Sequence, residues 1–445
     1  MQAASWSSRW AFLLAAIGFA VGLGNIWRFP WVAGENGGSA FVLVYLLCVL
    51  AIGVPILMAE LLIGRRGRGS PPEALAALAA EQGTHQQWRW LGHLNLLAAF
   101  LIQIVYTVVI GWVLFYLYLS LTQGFTAVSA EQSVAAFEGV KASFPIMMFW
   151  TGVALLLACA IVFSGLEKGI EPAVRVLMPM LFFLMLALAI FNGFNDGFDK
   201  ALSYLFKPDF SKVTGTVMLA AVGQAFFSIG VAMAGMMMFA AYLPKDVSIG
   251  QSAGIIVGAD TLVAITAGLV IFPVVFRFDL RTNSGSGLIF ETLPVAFGQM
   301  PGGDIVAILF FVLLSVAGVT SLVGLLEPLV SWIGERFEIS RRGATASLFV
   351  AVLTGSILSI LSHNVLSETR VFGSKLETVL DFIPNQLLLP VGGLLIAIFA
   401  GWVLKLSIAR EELALPEPVF SAWRNLLRFV VVPAVILILI TGLAS

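Results

Sequence analysis

The chain has 445 residues, 60% of them hydrophobic and only 11% charged, against about 25% charged in ordinary soluble domains. Its mean hydropathy is +1.00, too apolar for a water-soluble enzyme or a disordered segment. With 24 Lys+Arg against 25 Asp+Glu and a net charge of −1, it lacks the basic excess of a nucleic-acid binder.

An all-α integral membrane protein is the expectation, because a helix needs about 20 apolar residues to cross the hydrocarbon core. Such runs lie near 10–33, 40–63, 91–121, 145–163, 174–194, 217–243, 249–275, 305–333, 344–361, 382–406 and 426–443, predicting eleven spans in one transmembrane domain over 1–445. The alternating ten-residue strands of a barrel are not visible. Span 1 has no small-residue cleavage site and runs into Arg28, so it reads as retained rather than as a signal peptide. Placing the N-terminus in the cytoplasm of a bacterial inner membrane puts fifteen basic residues inside and eight outside, with Arg28 in the membrane. Residues 282–302 hold an apolar segment too short to span and predict a re-entrant or capping loop on the outer face. Cys48 and Cys159 sit in apolar runs, which argues against a disulfide framework or a thiolate metal site. The three histidines, His85, His93 and His363, leave little for a histidine-built one.

Two spans carry glycine clusters at mid-membrane depth. Span 1 reads Gly18-Phe-Ala-Val-Gly22-Leu-Gly24-Asn25, and span 6 reads Phe227-Ser-Ile-Gly230-Val-Ala-Met-Ala-Gly235. Gly18 and Gly22 alone also fit a small-residue packing face. Asn25 and Ser228 beside the clusters, and their separation by five spans, favour interrupted helices instead. Five crossings make spans 1 and 6 antiparallel, so a 5+5 inverted repeat over about 9–195 and 215–406, with an extra helix near 420–443, would bring two broken helices together at the midplane. Free amides there suit an anion and free carbonyls suit a cation, the signature of a secondary transporter.

These runs resemble a known family. Gly18-Phe-Ala-Val-Gly-Leu-Gly-Asn-Ile-Trp-Arg-Phe-Pro with Gly34-Glu-Asn-Gly-Gly is similar to the signature of the neurotransmitter:sodium symporters. Ala221-Val-Gly-Gln-Ala-Phe-Phe-Ser, Asp260-Thr-Leu-Val-Ala and Ala317-Gly-Val-Thr-Ser follow in the right order. The resemblance is greatest to bacterial amino-acid transporters, and it implies two Na⁺ sites. One would use the Ala20 carbonyl, Asn25, Ser228 and Asp260. The other would use the carbonyls of Gly18, Val21 and Ala317 with the hydroxyls of Thr320 and Ser321. All are hard oxygen donors, as Na⁺ requires. Without that context, Thr320 and Ser321 read as packing hydroxyls and Asp260 as a buried, hydrogen-bonded acid. Chloride-dependent members have asparagine and serine where this chain has Asp260 and Ala264, so the resemblance implies chloride independence.

Members that carry amines have an aspartate where this chain has Gly22. A substrate carboxylate would fit there, beside the amides near Leu23 and Gly24, which favours α-amino acids. Phe19, Ile102, Tyr106, Phe227, Gly230, Met233, Ser321 and Leu325 would line a largely apolar pocket, with Tyr106 bonded to the carboxylate and Met233 adaptable. Arg28 would pair with Asp381 as an outer gate, or form a static salt bridge. Trp6, Tyr242 and Glu335 match an inner gate, but the family's arginine three residues before that tryptophan is Ala3. Gly169 and Pro179 have the spacing of relatives in which the inner half of span 5 unwinds; Pro179 alone would be an ordinary kink. Glu60 resembles the residue that braces the span 6 break, whereas Glu327 reads at least as readily as a satisfied structural carboxylate as a proton-linked one. The expected partners are a small amino acid, sodium and the lipid bilayer, with no nucleic acid, in a monomer or homodimer. A channel or substrate sensor on the same fold is the alternative. An intramembrane serine protease built on Gly250-Gln-Ser252-Ala-Gly254 is disfavoured, since no strand precedes the motif and none of the three histidines falls inside a predicted span where it could serve as base.

Overall fold

The computed structural model describes residues 5–278 and 285–444. Nine helices among them are long and apolar enough to cross a membrane: Ser39–Gly67, Gln86–Thr122, Phe144–Phe163, Leu166–Gly193, Ile249–Arg277, Gly303–Phe337, Arg341–Ser362, Leu376–Val403 and Glu417–Gly442. A bent pair, Arg9–Ala20 and Gly24–Glu35, adds another crossing with a 49° bend. Gly215–Ile229 and Gly235–Ala241, each too short to cross alone, together supply the remaining one. In chain order these are spans 1 to 11, with spans 1 and 6 broken. Lipid offers no partner for a backbone amide or carbonyl, so helices are the form that such sequences must take.

Hydropathy misplaces three boundaries. Span 5 begins at Leu166, span 10 at Leu376 and span 11 at Glu417, each six or more residues before the apolar run, because polar first turns lie in water or headgroups where hydropathy has no signal. Hydroxyl caps mark other starts: Ser8, Thr214, Ser248 and Ser340 accept from the amides of Ala11, Val217, Gln251 and Gly343. Helices Pro71–Gln82, Ala130–Ala142, Phe198–Phe206 and Leu406–Leu413 lie between spans and do not cross. A short antiparallel hairpin pairs Arg370 with Lys375.

Spans 3 and 8, the two longest, are the scaffold: 72% of each apolar window is buried, against 22% for span 11 and 33% for span 5. They pack closely, with Gly318 set against Ile110, as small residues permit where helices associate by van der Waals contact in lipid. Val176 and Phe183 on span 5, and Phe194 just past its C-terminal end, face away from the core. The predicted capping loop is visible from Gly285: Leu288–Thr292 and Leu293–Gln299 form a bent helical pair. Trp27 Nε1 donates to Gly285 O at 3.1 Å, drawing the loop over span 1; residues 282–284 of that prediction lie outside the described residues. Cys48 and Cys159 are buried free thiols. The face bearing residue 5 is called the N-terminal face below.

Candidate functional site: the meeting of the two broken spans

Span 1 breaks at Val21–Leu23, where Val21 is extended (φ −74°, ψ 92°), and resumes as a wide π-turn over Gly24–Arg28. Close approach explains its glycines. A Cβ on Gly22 would lie 2.5 Å from Ser321 Oγ and 2.8 Å from Tyr106 OH, and one on Gly24 would lie 2.9 Å from the Phe227 ring. Span 6 breaks over Gly230–Ala234 by another device. Gly230 has φ +72°, and so, less expectedly, do two alanines: Ala232 at +63° and Ala234 at +66°. Left-handed alanine costs about 1 kcal/mol or more, so something must hold it. Glu60, wholly buried in span 2, accepts from Ala232 N at 2.6 Å.

A polar node joins the breaks. Asn25 Nδ2 donates to Asp260 Oδ1 (2.7 Å), Asp260 O (3.0 Å) and Ser228 Oγ (3.0 Å), and its Oδ1 accepts from Gly22 N at 3.3 Å. Ser228 Oγ donates to Asp260 Oδ2 at 2.7 Å. Asn25 and Asp260 are fully buried. Asp260 thus has neutral donors on both oxygens and, among the described residues, no ion-pair partner. A buried carboxylate so placed attracts a cation. Ala20 is buried in the last turn before the break.

Nearer the N-terminal face, Ser321 Oγ donates to Phe19 O (3.2 Å) and, more weakly, to Gly18 O (3.5 Å). A Cβ on Gly18 would lie 3.3 Å from Thr320 Cβ, so this end of span 1 abuts the hydroxyl pair of span 8. Thr320 Oγ1 bonds back to Val316 O and Ala317 O, both at 3.0 Å, while Val21 N donates to Ile17 O at 2.7 Å. The structure therefore brings Gly18, Ser321, Thr320 and Ala317 together.

A cavity of about 450 Å³ descends from the opposite face to Leu23, Gly24, Ile102, Tyr106 and Phe227. Tyr106 OH accepts from Leu23 N at 3.0 Å. Phe19, Gly230, Met233, Ser321 and Leu325, expected as pocket walls, are absent from its lining. The reason is Phe19, whose ring occupies the room left by three glycines: a Cβ on Gly230, Gly235 or Gly324 would strike it. Nor is there a vacancy at Gly22, because Ser321 and Tyr106 already fill it. Arg28 and Asp381 face the same cavity but form no ion pair among the described residues. The Arg28 guanidinium lies 4.5 Å above the Phe227 ring, and Asp381 Oδ1 accepts from Asn385 Nδ2 at 2.8 Å.

The N-terminal face is closed. Trp6 is buried, its amide donating to Tyr242 O (3.1 Å) and its indole to Phe239 O (2.8 Å). Glu335 does not join them; it is exposed and accepts from Ser70 N at 3.1 Å. Glu327 takes that place, accepting from Tyr242 OH at 2.9 Å and pairing with Arg341 through both of its Nη atoms. Ala3 lies outside the described residues, and a different contact ties the N-terminal segment down: Ser7 N and Oγ donate to Glu171 at 2.8 and 2.5 Å, with Arg175 on Ser7 Oγ. Gly169 lies in a π-turn packed against the Ile161 carbonyl, and Pro179 sits inside the same continuous span 5. The helix Leu406–Leu413 is pinned by buried Arg65, which holds Glu412 at 2.7 Å, and by Arg66 on Glu81, Glu411 and Glu412. The Arg66 guanidinium keeps the Glu81 carboxyl below its usual range.

Sequence reasoning missed two members of the node. Tyr45 OH lies 3.2 Å from Ser228 Oγ, and Gln224 Nε2 donates to Gly24 O at 2.9 Å. A phenol and an amide in apolar runs were signals in themselves, since buried polar groups need partners. Among the described residues, the Ser252 hydroxyl of the protease motif bonds only back to Ser248 O within its helix.

The family model described as "Sodium:neurotransmitter symporter family" matches residues 3–141 and 145–442. An uncharacterized sodium-dependent transporter of Bacillus subtilis is 33% identical over 441 residues, 97% of this chain and 96% of that one. One of Haemophilus influenzae is 31% identical over 451 residues, 99% and 98% respectively. The crystal structure of MhsT in complex with L-phenylalanine superposes with a TM-score of 0.91 at 39% identity, covering 99% of this chain and all of that one. These relatives are transporters rather than enzymes, and the chain, a multi-pass sodium-dependent symporter, belongs to the sodium:neurotransmitter symporter family.

Proposed function

We propose that this symporter imports hydrophobic and aromatic α-amino acids with two Na⁺ ions, by alternating access and without chloride. The observation that carries the reading is the Asn25–Ser228–Asp260 node, a buried carboxylate with neutral donors only, where two broken helices meet below a cavity. The first Na⁺ takes Ala20 O, Asn25, Ser228 and Asp260. The second takes the carbonyls of Gly18, Val21 and Ala317 and the hydroxyls of Thr320 and Ser321, displacing the back-bonds that those hydroxyls make. Once Tyr106 releases Leu23 N and moves with Ser321 off Gly22, the substrate carboxylate docks on Tyr106 and the span 1 amides near Gly22, Leu23 and Gly24. A carboxylate about 4 Å from Na⁺ at an effective dielectric of 20 gains about 4 kcal/mol, enough to couple the two bindings. The side chain lies against Ile102 and Phe227, with Met233 and Leu325 reached once the Phe19 ring moves off Gly230. L-phenylalanine in the MhsT complex supports this substrate class.

Asp260 supplies the negative charge that chloride supplies elsewhere. Arg28 and Asp381 close over bound substrate, and the Trp6–Tyr242 contacts and the Tyr242–Glu327 bond part on the other face as span 5 yields at Gly169 and Pro179. The N-terminal face is cytoplasmic, in a bacterial inner membrane. The halves 9–195 and 215–406 are the inverted repeats that rock, with 420–443 outside them. The test is uptake into proteoliposomes under an imposed Na⁺ gradient. Accumulation of phenylalanine or leucine above equilibrium, unchanged when gluconate replaces chloride, is expected. Equilibration without accumulation would make the protein a channel, and collapse in gluconate would remove the role given to Asp260.

A further inference from the structure

Spans 10 and 11 meet on the N-terminal face at an unusual helix end. Span 10 finishes as a π-turn over Phe399–Val403, with Leu404 N donating to Phe399 O at 2.8 Å. The following amide, Lys405 N, turns away to Gln82 Oε1 at 3.0 Å. The Gly401 carbonyl is thereby left to side chains, and two arginines take it. Arg424 Nε and Arg428 Nε donate to this one oxygen at 2.9 and 2.7 Å.

Two guanidiniums are thus gathered side by side, one turn apart on one helix face, where like charges oppose each other. Among the described residues neither has a carboxylate partner, and the hydrogen bonds found use only their Nε atoms. The neighbouring Arg410 is already paired with Glu417 at 2.7 Å. The Nη forks, the part of arginine shaped for a planar or tetrahedral oxyanion, are unclaimed. Gly401 permits the close seat, since a Cβ there would lie 3.3 Å from Arg428 Cγ.

The surroundings say which anion. Arg428 lies 5.5 Å from the Trp402 ring centroid, and Trp402 (45% exposed), Leu406 (42%) and Phe429 (69%) present apolar surface beside the pair. Span 11 runs 26 residues, about 39 Å at 1.5 Å per residue, longer than a core of about 30 Å. All of its charged residues, Glu417, Arg424 and Arg428, lie in its first twelve positions, so the surplus falls at that end among the headgroups, and helical side chains slant back toward it, carrying both guanidiniums to the boundary. A doubled cation at a headgroup boundary with an apolar flank suits an anion that carries acyl chains.

We propose that Arg424 and Arg428 form a phosphate-binding site for the headgroup of an anionic phospholipid in the leaflet on the N-terminal face. A free phosphate offers the same oxyanion, and the experiment separates the two. Full-length protein in phosphatidylcholine nanodiscs is titrated with phosphatidylglycerol, and bound lipid is counted by native mass spectrometry. Wild type is expected to select phosphatidylglycerol. An arginine near such a surface is worth about fivefold in affinity, so R424Q/R428Q should lose about thirtyfold while keeping sodium-dependent phenylalanine binding. R410Q, whose arginine is already paired, should keep the selection. Undiminished phosphatidylglycerol binding by R424Q/R428Q overturns the proposal. Displacement of the lipid by inorganic phosphate at matched concentration would reassign the site to a free anion. R424K/R428K keeps both charges and loses the Gly401 bonds. Retained selection there supports the proposal, and complete loss with faster hydrogen exchange at the end of span 10 makes the arginines helix caps only.

Discussion

The two interrupted helices reach the same outcome by opposite means. Span 1 opens because side chains are missing: Gly22 and Gly24 let Ser321, Tyr106 and Phe227 press against bare backbone. Span 6 opens although side chains are present, with Ala232 and Ala234 held at positive φ and the Ala232 amide clamped by Glu60. One break is a matter of space, the other of imposed conformation. A methyl group is therefore unwelcome in both places for different reasons: adding one at Gly22 should overpack the break, and removing one at Ala232 should relieve its backbone.

The largest effect should come from the node that the breaks share. Asp260→Ala strips Asn25 and Ser228 of their acceptor and removes the buried charge, a loss of about 3–5 kcal/mol of the kind seen when one member of a buried charged network is deleted. Sodium-dependent phenylalanine binding, followed by scintillation proximity, should fall more than about a hundredfold. Next, Glu60→Ala should orphan the Ala232 amide at about 1–3 kcal/mol, read as a lower midpoint in detergent unfolding. Glu60→Gln, which keeps an acceptor, should recover most of it; equal loss in both would show that acceptance from Ala232 is not what Glu60 supplies. Gly22→Ala should overpack the span 1 break by about 1–3 kcal/mol and lower substrate affinity at least about fivefold. The smallest effect carries the sign test: Ala232→Gly should stabilise by up to about 1 kcal/mol, since glycine accepts positive φ without strain. A destabilised A232G protein would sink the contrast between the breaks.

The same contrast explains what the sequence disclosed. Span 1 was legible because missing side chains are written as glycines, and Asn25 and Asp260 because polar residues at mid-membrane depth have few bland explanations. The polarity of spans 1 and 6 followed from counting crossings. Ala232 and Ala234 were illegible, since nothing in an alanine says that its φ is positive; that information sits in span 2, at Glu60, far away in sequence. Phe19 was misplaced for a related reason. Its lodging depends on Gly324 in span 8 and Gly235 in span 6, which no local pattern connects. The exchange of Glu335 for Glu327 at Tyr242 likewise depends on which turn of span 8 reaches the N-terminal segment. Helix ends in water, such as Glu417, were lost because hydropathy measures lipid contact and not helix.

The second half of span 6, Gly235–Ala241, is only seven residues long, too few for a helix to sustain itself. The carbonyls at its far end are gripped from outside: Phe239 O by the Trp6 indole, Ala241 O by Arg68 at 2.9 Å, and Tyr242 O by the Trp6 amide. It is in effect a short rod with handles at one end and a swivel of left-handed alanines at the other. A pull on the segment around Trp6 would be transmitted to the rod as rotation about that swivel, which places that segment as a lever arm.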